Sequence, residues 1–302
     1  MGINALGSVV HGDMNGVQIT GLANLAGGTM RGVQLAGISN ISGNNTVGLS
    51  AAGLVNITGD RTQGVIISGL TSIGGDNTSG LMISGFMNVT GNMASGLHFS
   101  GAANITGQSF GGLMASGLLN VVGEHMNGLQ IAGIANITAS KLNGVQIALC
   151  NYVTQACGLQ IGLVNYYKED MKGFQLGLVN ANPDTRVQMM VYGGNATPVN
   201  IGVRFKNQLF YTILGIGSMY QGLNDKFSAS ASYRAGLSFT LYKGLSISGD
   251  LGYQHIEAFD NKDEVIPKRL YALQARANLE YQFTRKFGIY ATGGYGLTRF
   301  YN

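Results

Sequence analysis

Residues 80–95 read Gly-Leu-Met-Ile-Ser-Gly-Phe-Met-Asn-Val-Thr-Gly-Asn-Met-Ala-Ser, and residues 96–111 follow in the same frame as Gly-Leu-His-Phe-Ser-Gly-Ala-Ala-Asn-Ile-Thr-Gly-Gln-Ser-Phe-Gly. The frame runs outward from here in both directions. Glycine recurs every 16 residues from Gly16 to Gly144, again five residues on from Gly21 to Gly133, and in a third series from Gly27 to Gly123. Each first glycine precedes an apolar residue, as in Val17, Val33, Leu49 and Val65, with a second apolar row two further on at Ile19, Leu35, Ala51 and Ile67. Asparagine holds one position at Asn24, Asn40, Asn56, Asn88, Asn104, Asn120 and Asn136, with Ser72 in the gap. Such a unit is too short for a helical-hairpin repeat and has no 3.6-residue period. It contains two short alternating strands and glycine-rich bends. That predicts an N-terminal β-solenoid whose equivalent residues stack ~4.8 Å apart. An antiparallel meander with one hairpin per repeat is the alternative, but strands of ~4–5 residues pair poorly alone.

The apolar rows are expected to form continuous ladders inside a thin, flattened tube. Gln18, Gln34, Gln130, Gln146, Gln160 and His98 then face outward, the glutamines as a flat uncharged array. The asparagines either bond to one another up the stack as a ladder or each close their own turn. From Gly144 the spacing shortens, to Gly158 and then Gly173, and one residue is lost between the first glycine and the asparagine. These coils should be tightened or retwisted.

The shortened units read GVQIALCNY, GLQIGLVNYY and GFQLGLVNA across residues 144–182. They resemble the GLQIGLxN repeats of predicted surface proteins of Bacteroidetes and Leptospira. The resemblance implies an exported, outer-membrane-associated protein and carries no activity with it.

After Pro183 the repeats stop, which divides the chain into residues 1–182 and 183–302. Strands are predicted near 187–194, 199–206, 209–220, 228–242, 245–256, 269–283 and 287–300. Their alternation is clear: Tyr233, Leu237 and Phe239 share one face, and Ser232, Arg234 and Ser238 share the other. Runs of this length with short turns suit the wall of an outer-membrane-type barrel, apolar side to lipid and polar side inward, with Tyr and Phe at the strand ends as girdles. An eighth strand would come from 173–181. A water-soluble antiparallel cap with its apolar face inside remains open. It is favoured by the odd number of clear strands and by a C-terminus on the long-loop side.

Composition sets further limits. Of 302 residues 48 are Gly and 11% are charged, against ~25% charged in an average domain. The net charge of +4 forms no basic stripe, so no nucleic-acid partner is expected. Residues 1–10 have neither a basic segment nor an apolar one, so no signal peptide is visible there.

No catalytic, cofactor or metal site is expected. His11, His98, His125 and His255 are far apart in sequence and lack metal-ligand spacing. Glu257, Asp260, Asp263 and Glu264 cluster in a long loop, where solvation is the default and weak Ca²⁺ binding the alternative. Arg234, Asp250, Arg276 and Glu280 lie on polar strand faces and should pair inside the barrel. Cys150 and Cys157 are a candidate disulfide across the thin core, or else two buried thiols. The expected function is non-enzymatic: an outer-membrane or cell-surface scaffold for adhesion or assembly, with membrane lipid, other surface proteins or further copies of itself as partners. A small-solute pore and a soluble ligand-binding solenoid are the alternatives.

Overall fold

The computed structural model describes residues 2–194, 197–221, 226–259, 268–284 and 287–301. All its secondary-structure elements are strands. The chain divides into two compact units, Met1–Gly177 and Leu178–Asn302.

The first unit is a parallel β-solenoid. Strands pair with their equivalents one coil away, in register at 16 residues, as in Leu81↔Leu97 and Asn88↔Asn104. Three changes of direction shape a coil. In the coil quoted above they are the bend at Gly85-Phe86, the corner at Gly91-Asn92 and the backbone of Gly96, whose φ is +105°. The first glycine series supplies that positive φ from Gly16 to Gly173. Only glycine adopts it without strain.

The interior is the reverse of the expected one. The row Gln18, Gln34, Ser50, Ile66, Met82, His98, Met114, Gln130, Gln146 and Gln160 is buried. The Gln positions and His98, expected outside, therefore face in. The apolar rows face out: Leu54, Ile67, Leu70, Ile83, Leu97, Ile131 and Ile134 are among the exposed large side chains. The asparagines are inside too, and alternation then forces their apolar neighbours outward.

Amide pairing makes a polar core tenable, because the buried amides donate to the coil beside them; Asn24 Oδ1 and Gln34 Oε1, where the ladders begin or break, are the amide oxygens left without a partner among the described residues of the solenoid. Asn24 Nδ2 donates to Asn40 Oδ1 at 2.8 Å, Asn40 to Asn56 at 3.0 Å, Asn88 to Asn104 at 2.8 Å, Asn104 to Asn120 at 3.0 Å and Asn120 to Asn136 at 3.0 Å. The ladder goes on through Asn151 to Asn165. Each amide also donates to a main-chain carbonyl of the next coil, as Asn104 does to Ala115 at 2.8 Å. The asparagines thus tie coils together, and each also makes a longer bond across its own bend, as Asn88 Nδ2 does to the Met82 carbonyl at 3.4 Å. At the gap, Ser68, Ser72 and Ser84 bridge Asn56 to Asn88. A second ladder runs the other way: Gln34 donates to Gln18 at 3.0 Å, Gln146 to Gln130 at 2.8 Å, Gln160 to Gln146 at 2.9 Å and Gln175 to Gln160 at 2.7 Å. An apolar plug of Phe110, Met114, Met126 and Leu142 starts in the gap of the glutamine row and runs on beside Gln130 and Gln146.

His98 sits at one edge of this plug, 1% exposed, with its ring 4.9 Å from Phe110 and its Nε2 lacking a hydrogen-bond partner. Burial holds its pKa down, at about 4 against the usual 6.5. A depressed base loses stability as pH falls, because the unfolded chain takes up the proton first. Stability is complete above about pH 6.5 and falls by on the order of 3 kcal/mol by pH 4. In His98→Met, which extends the row of Met82 and Met114, that share of the acid sensitivity should vanish. Chemical unfolding at pH 7 and pH 4 measures it.

The last coils change at a corner. Where earlier coils bend at a glycine such as Gly107 or Gly123, Ala135–Ile147, Cys150–Ile161 and Val164–Leu176 lack that glycine and run on as single long strands. Cys150–Ile161 is one residue shorter there than its two neighbours, which gives the register shifts between Thr138 and Lys141 and between Val153 and Gln155.

The second unit is a seven-stranded antiparallel sheet in sequence order: Arg186–Tyr192, Asn200–Asn207, Phe210–Gln221, Lys226–Tyr242, Leu245–Phe259, Lys268–Gln282 and Gly288–Tyr301. All seven match the predicted strands within a few residues. Residues 173–176 belong to the solenoid strand Val164–Leu176 and add no eighth strand. The sheet is curled. Arg204 of its second strand meets Glu280 of the sixth at 2.6 Å, and Tyr192 of the first meets Ser232 of the fourth at 3.3 Å. The first and seventh strands share no ladder among the described residues, and an opening of about 1240 Å³ is lined by both.

Candidate functional site

Alternation in the second unit places Arg204, Arg234, Ser238, Ser248, Asp250, Gln254 and Asn278 in the concave interior. Arg234 and Asp250 form a two-pronged pair, Nε to Oδ1 at 2.9 Å and Nη2 to Oδ2 at 2.7 Å, with side chains 3% and 0% exposed. Tyr211 Oη and Asn278 Nδ2 each donate to the same carboxylate at 2.8 Å. Arg276 lies 4.0 Å from it. The Arg204 guanidinium stacks 4.2 Å above the Tyr211 ring and pairs with Glu280. Further along, Gln254 donates to Thr197 at 3.1 Å and Ser230 at 3.0 Å. The pairing expected of Arg234, Asp250, Arg276 and Glu280 is therefore present, and Arg204 and Tyr211 complete it. These side chains span the interior from strand to strand, and the opening beside the first and seventh strands lies next to Arg204 and Glu280.

The convex side is apolar. Leu251 is 70% exposed, and Ile216, Leu237, Phe239, Ile247, Leu273, Leu279 and Leu297 lie open around the sheet. Aromatic side chains gather at the short-turn end, where Tyr242, Tyr281, Phe283 and Phe287 are exposed. Both units thus show the same inversion, polar inside and apolar outside, and this outer surface is the candidate functional feature.

No group of three or more His, Cys, Asp or Glu among the described residues is placed to hold a metal ion. Asp260, Asp263 and Glu264 lie outside the described residues. Glu257 lies 3.6 Å from both His255 Nε2 and Arg269 Nε. Cys150 and Cys157 are free and exposed, so they neither bridge the core nor lie buried in it. No helix is long and apolar enough to cross a membrane, which says nothing about crossing by strands. Comparison with protein-family profiles, with curated proteins and with solved structures finds no match.

The sequence reading missed the outer apolar rows of the solenoid. A signal was present: the asparagine row, once placed inside, leaves Leu25, Ile41, Ile57 and Ile73 only the outer side.

Proposed function

We propose that this chain is a non-enzymatic outer-membrane protein, in which the antiparallel sheet is the membrane-spanning wall and the solenoid is a rigid repeat scaffold for adhesion or assembly. One observation carries the reading: the sheet buries Arg234, Asp250 and Asn278 while Leu251, Leu237 and Leu273 stand on its outer surface. A water-soluble cap would need the opposite arrangement, since apolar side chains gain ~25 cal/mol per Å² on leaving water. In a bilayer the surroundings are hydrocarbon and polar side chains are satisfied inward, while the edges of the first and seventh strands, which share no ladder among the described residues, must be paired or covered. Strands of 12 to 17 residues in the third to seventh positions exceed the ~9–11 that cross a bilayer. The exposed aromatics at one end suit a membrane–water boundary. The pore alternative is weaker, because the Arg234–Asp250–Tyr211–Asn278 network occupies the interior. The solenoid's contribution to adhesion rests on its polar side rather than on the glutamines, which lie within.

Leu251 sits midway along the fifth strand, between Ala235 and Ala275 on its neighbours. Leu251→Arg should lower the stability of the protein folded into liposomes by about 2–4 kcal/mol, the cost of a cation at mid-membrane on a barrel's lipid face. Denaturant titration in liposomes measures it. A change near zero would place Leu251 in water and overturn the reading.

A further inference from the structure

The solenoid has three sides, and its charge is confined to one. From Met14 to Gly177 the charged residues, Arg31, Asp60, Asp76, Glu124, Lys141 and Lys172 among them, fall at the corner before each next coil or on the short run up to the positive-φ glycine. The same side carries Asn15, Gln63, Ser95 and Asn143. The other two sides present only uncharged, mostly apolar residues. One holds the rows of Leu81 and Ile83, and the other the rows of Met87 and Val89. They meet at a tip of Leu22, Ile38, Leu54, Leu70, Phe86, Leu118 and Ile134, exposed by 43 to 55%.

The cross-section is a wedge, with a polar base and two apolar sides. Each side is about five residues deep, or ~16 Å at strand rise, close to half the ~30 Å hydrocarbon thickness of a bilayer. Eleven coils, counted by their positive-φ glycines, make the wedge ~50 Å long at the spacing of paired strands. Its apolar surface is on the order of 1,500 Å², well beyond the few hundred Å² that a soluble monomer leaves open.

We infer that the solenoid is seated in a single membrane leaflet, with its axis in the membrane plane, its tip among the acyl chains and its charged base at the headgroups. A lipid phase fits these sides better than a protein partner does. A partner would cover one side. Here both sides and the tip between them are uncharged and mostly apolar for the whole length, with no charged group for a partner to read. Acyl chains wrap all three alike. The inference is separate from the membrane-spanning reading of the sheet, because it concerns other residues and a depth of one leaflet.

Two native thiols report on it. Cys150 lies one residue past the tip on an apolar side, stacked between Ala135 and Val164, and Cys157 lies on the polar base between Asn143 and Lys172. Full-length Cys157→Ser and Cys150→Ser, each with one remaining thiol, are labelled with an environment-sensitive fluorophore and reconstituted into phosphatidylcholine vesicles. With the solenoid in the leaflet, the Cys150 label is quenched by doxyl-chain lipids, and its quenching by aqueous iodide is on the order of tenfold weaker than that of the Cys157 label, because an ion does not enter hydrocarbon. Equal iodide quenching at the two sites would overturn the inference. So would a Cys150 label shielded from iodide yet untouched by doxyl lipids, which would put a protein surface, a second copy or another partner, against that side.

Discussion

Gly112→Ala should cost more than about 3 kcal/mol, while Gly111→Ala, one residue earlier in the same strand, should be close to neutral. At Gly112 φ is +126°, and an added Cβ would lie 2.2 Å from the Gly96 carbonyl oxygen of the neighbouring coil. That oxygen is main chain in a paired stack, so it cannot move aside without disturbing the coils on both sides of it. At Gly111 an added Cβ meets nothing within 4 Å. Coils of a solenoid touch only their neighbours, so the damage should be local and should part the stack between the coils of Gly96 and Gly112. Unfolding followed by circular dichroism gives the energies, and limited proteolysis should find a new cut near that junction in Gly112→Ala alone. Equal tolerance at both positions would mean that the coils do not stack as described.

Asp250→Ala should have an effect of similar size in the second unit, about 3–5 kcal/mol, because it leaves the Arg234 guanidinium buried without its counter-charge. Tyr211 and Asn278 lose their shared acceptor as well. Arg234→Met should cost a comparable amount. The double variant should recover most of the loss, since a charge pair removed together leaves no unpaired ion behind. Denaturant unfolding of the two single variants and the double variant gives the coupling energy. Additive losses would mean that the two side chains do not act as a pair.

The residues that made the architecture legible are the glycines. A fixed 16-residue spacing from Gly16 to Gly144 admits few structures, and stacked coils satisfy it with one bend chemistry repeated. The seven long strands were legible for a related reason, since alternation such as Ser232, Tyr233, Arg234 and Ala235 sets both strand and faces. Which face turns inward was legible only in part. In the sheet, the length of the alternating runs suggested polar-in. In the solenoid, strands of four to seven residues gave no such cue, and the usual rule of apolar residues inside inverted the assignment of Gln18, Gln34, Gln130, Gln146, Gln160 and His98. The rule presumes water outside. Nothing in a local sequence window states the solvent, whereas the stacked structure shows which face lies inside by where the amides find partners. Cys150 and Cys157 were misplaced for the same reason: Cys150 is outward beside the inward Asn151, and Cys157 is outward beside the inward Ala156.

The central claim is that this protein's apolar exterior faces lipid. The most direct measurement is fractionation of cells producing the full-length protein, with the membranes washed in high salt and then at alkaline pH before detergent is added. The protein should sediment with the outer membrane, survive both washes and leave the pellet only in detergent. Recovery in the aqueous supernatant without detergent would contradict the account, because its exposed leucines, isoleucines and phenylalanines would then have to be covered by something other than a bilayer.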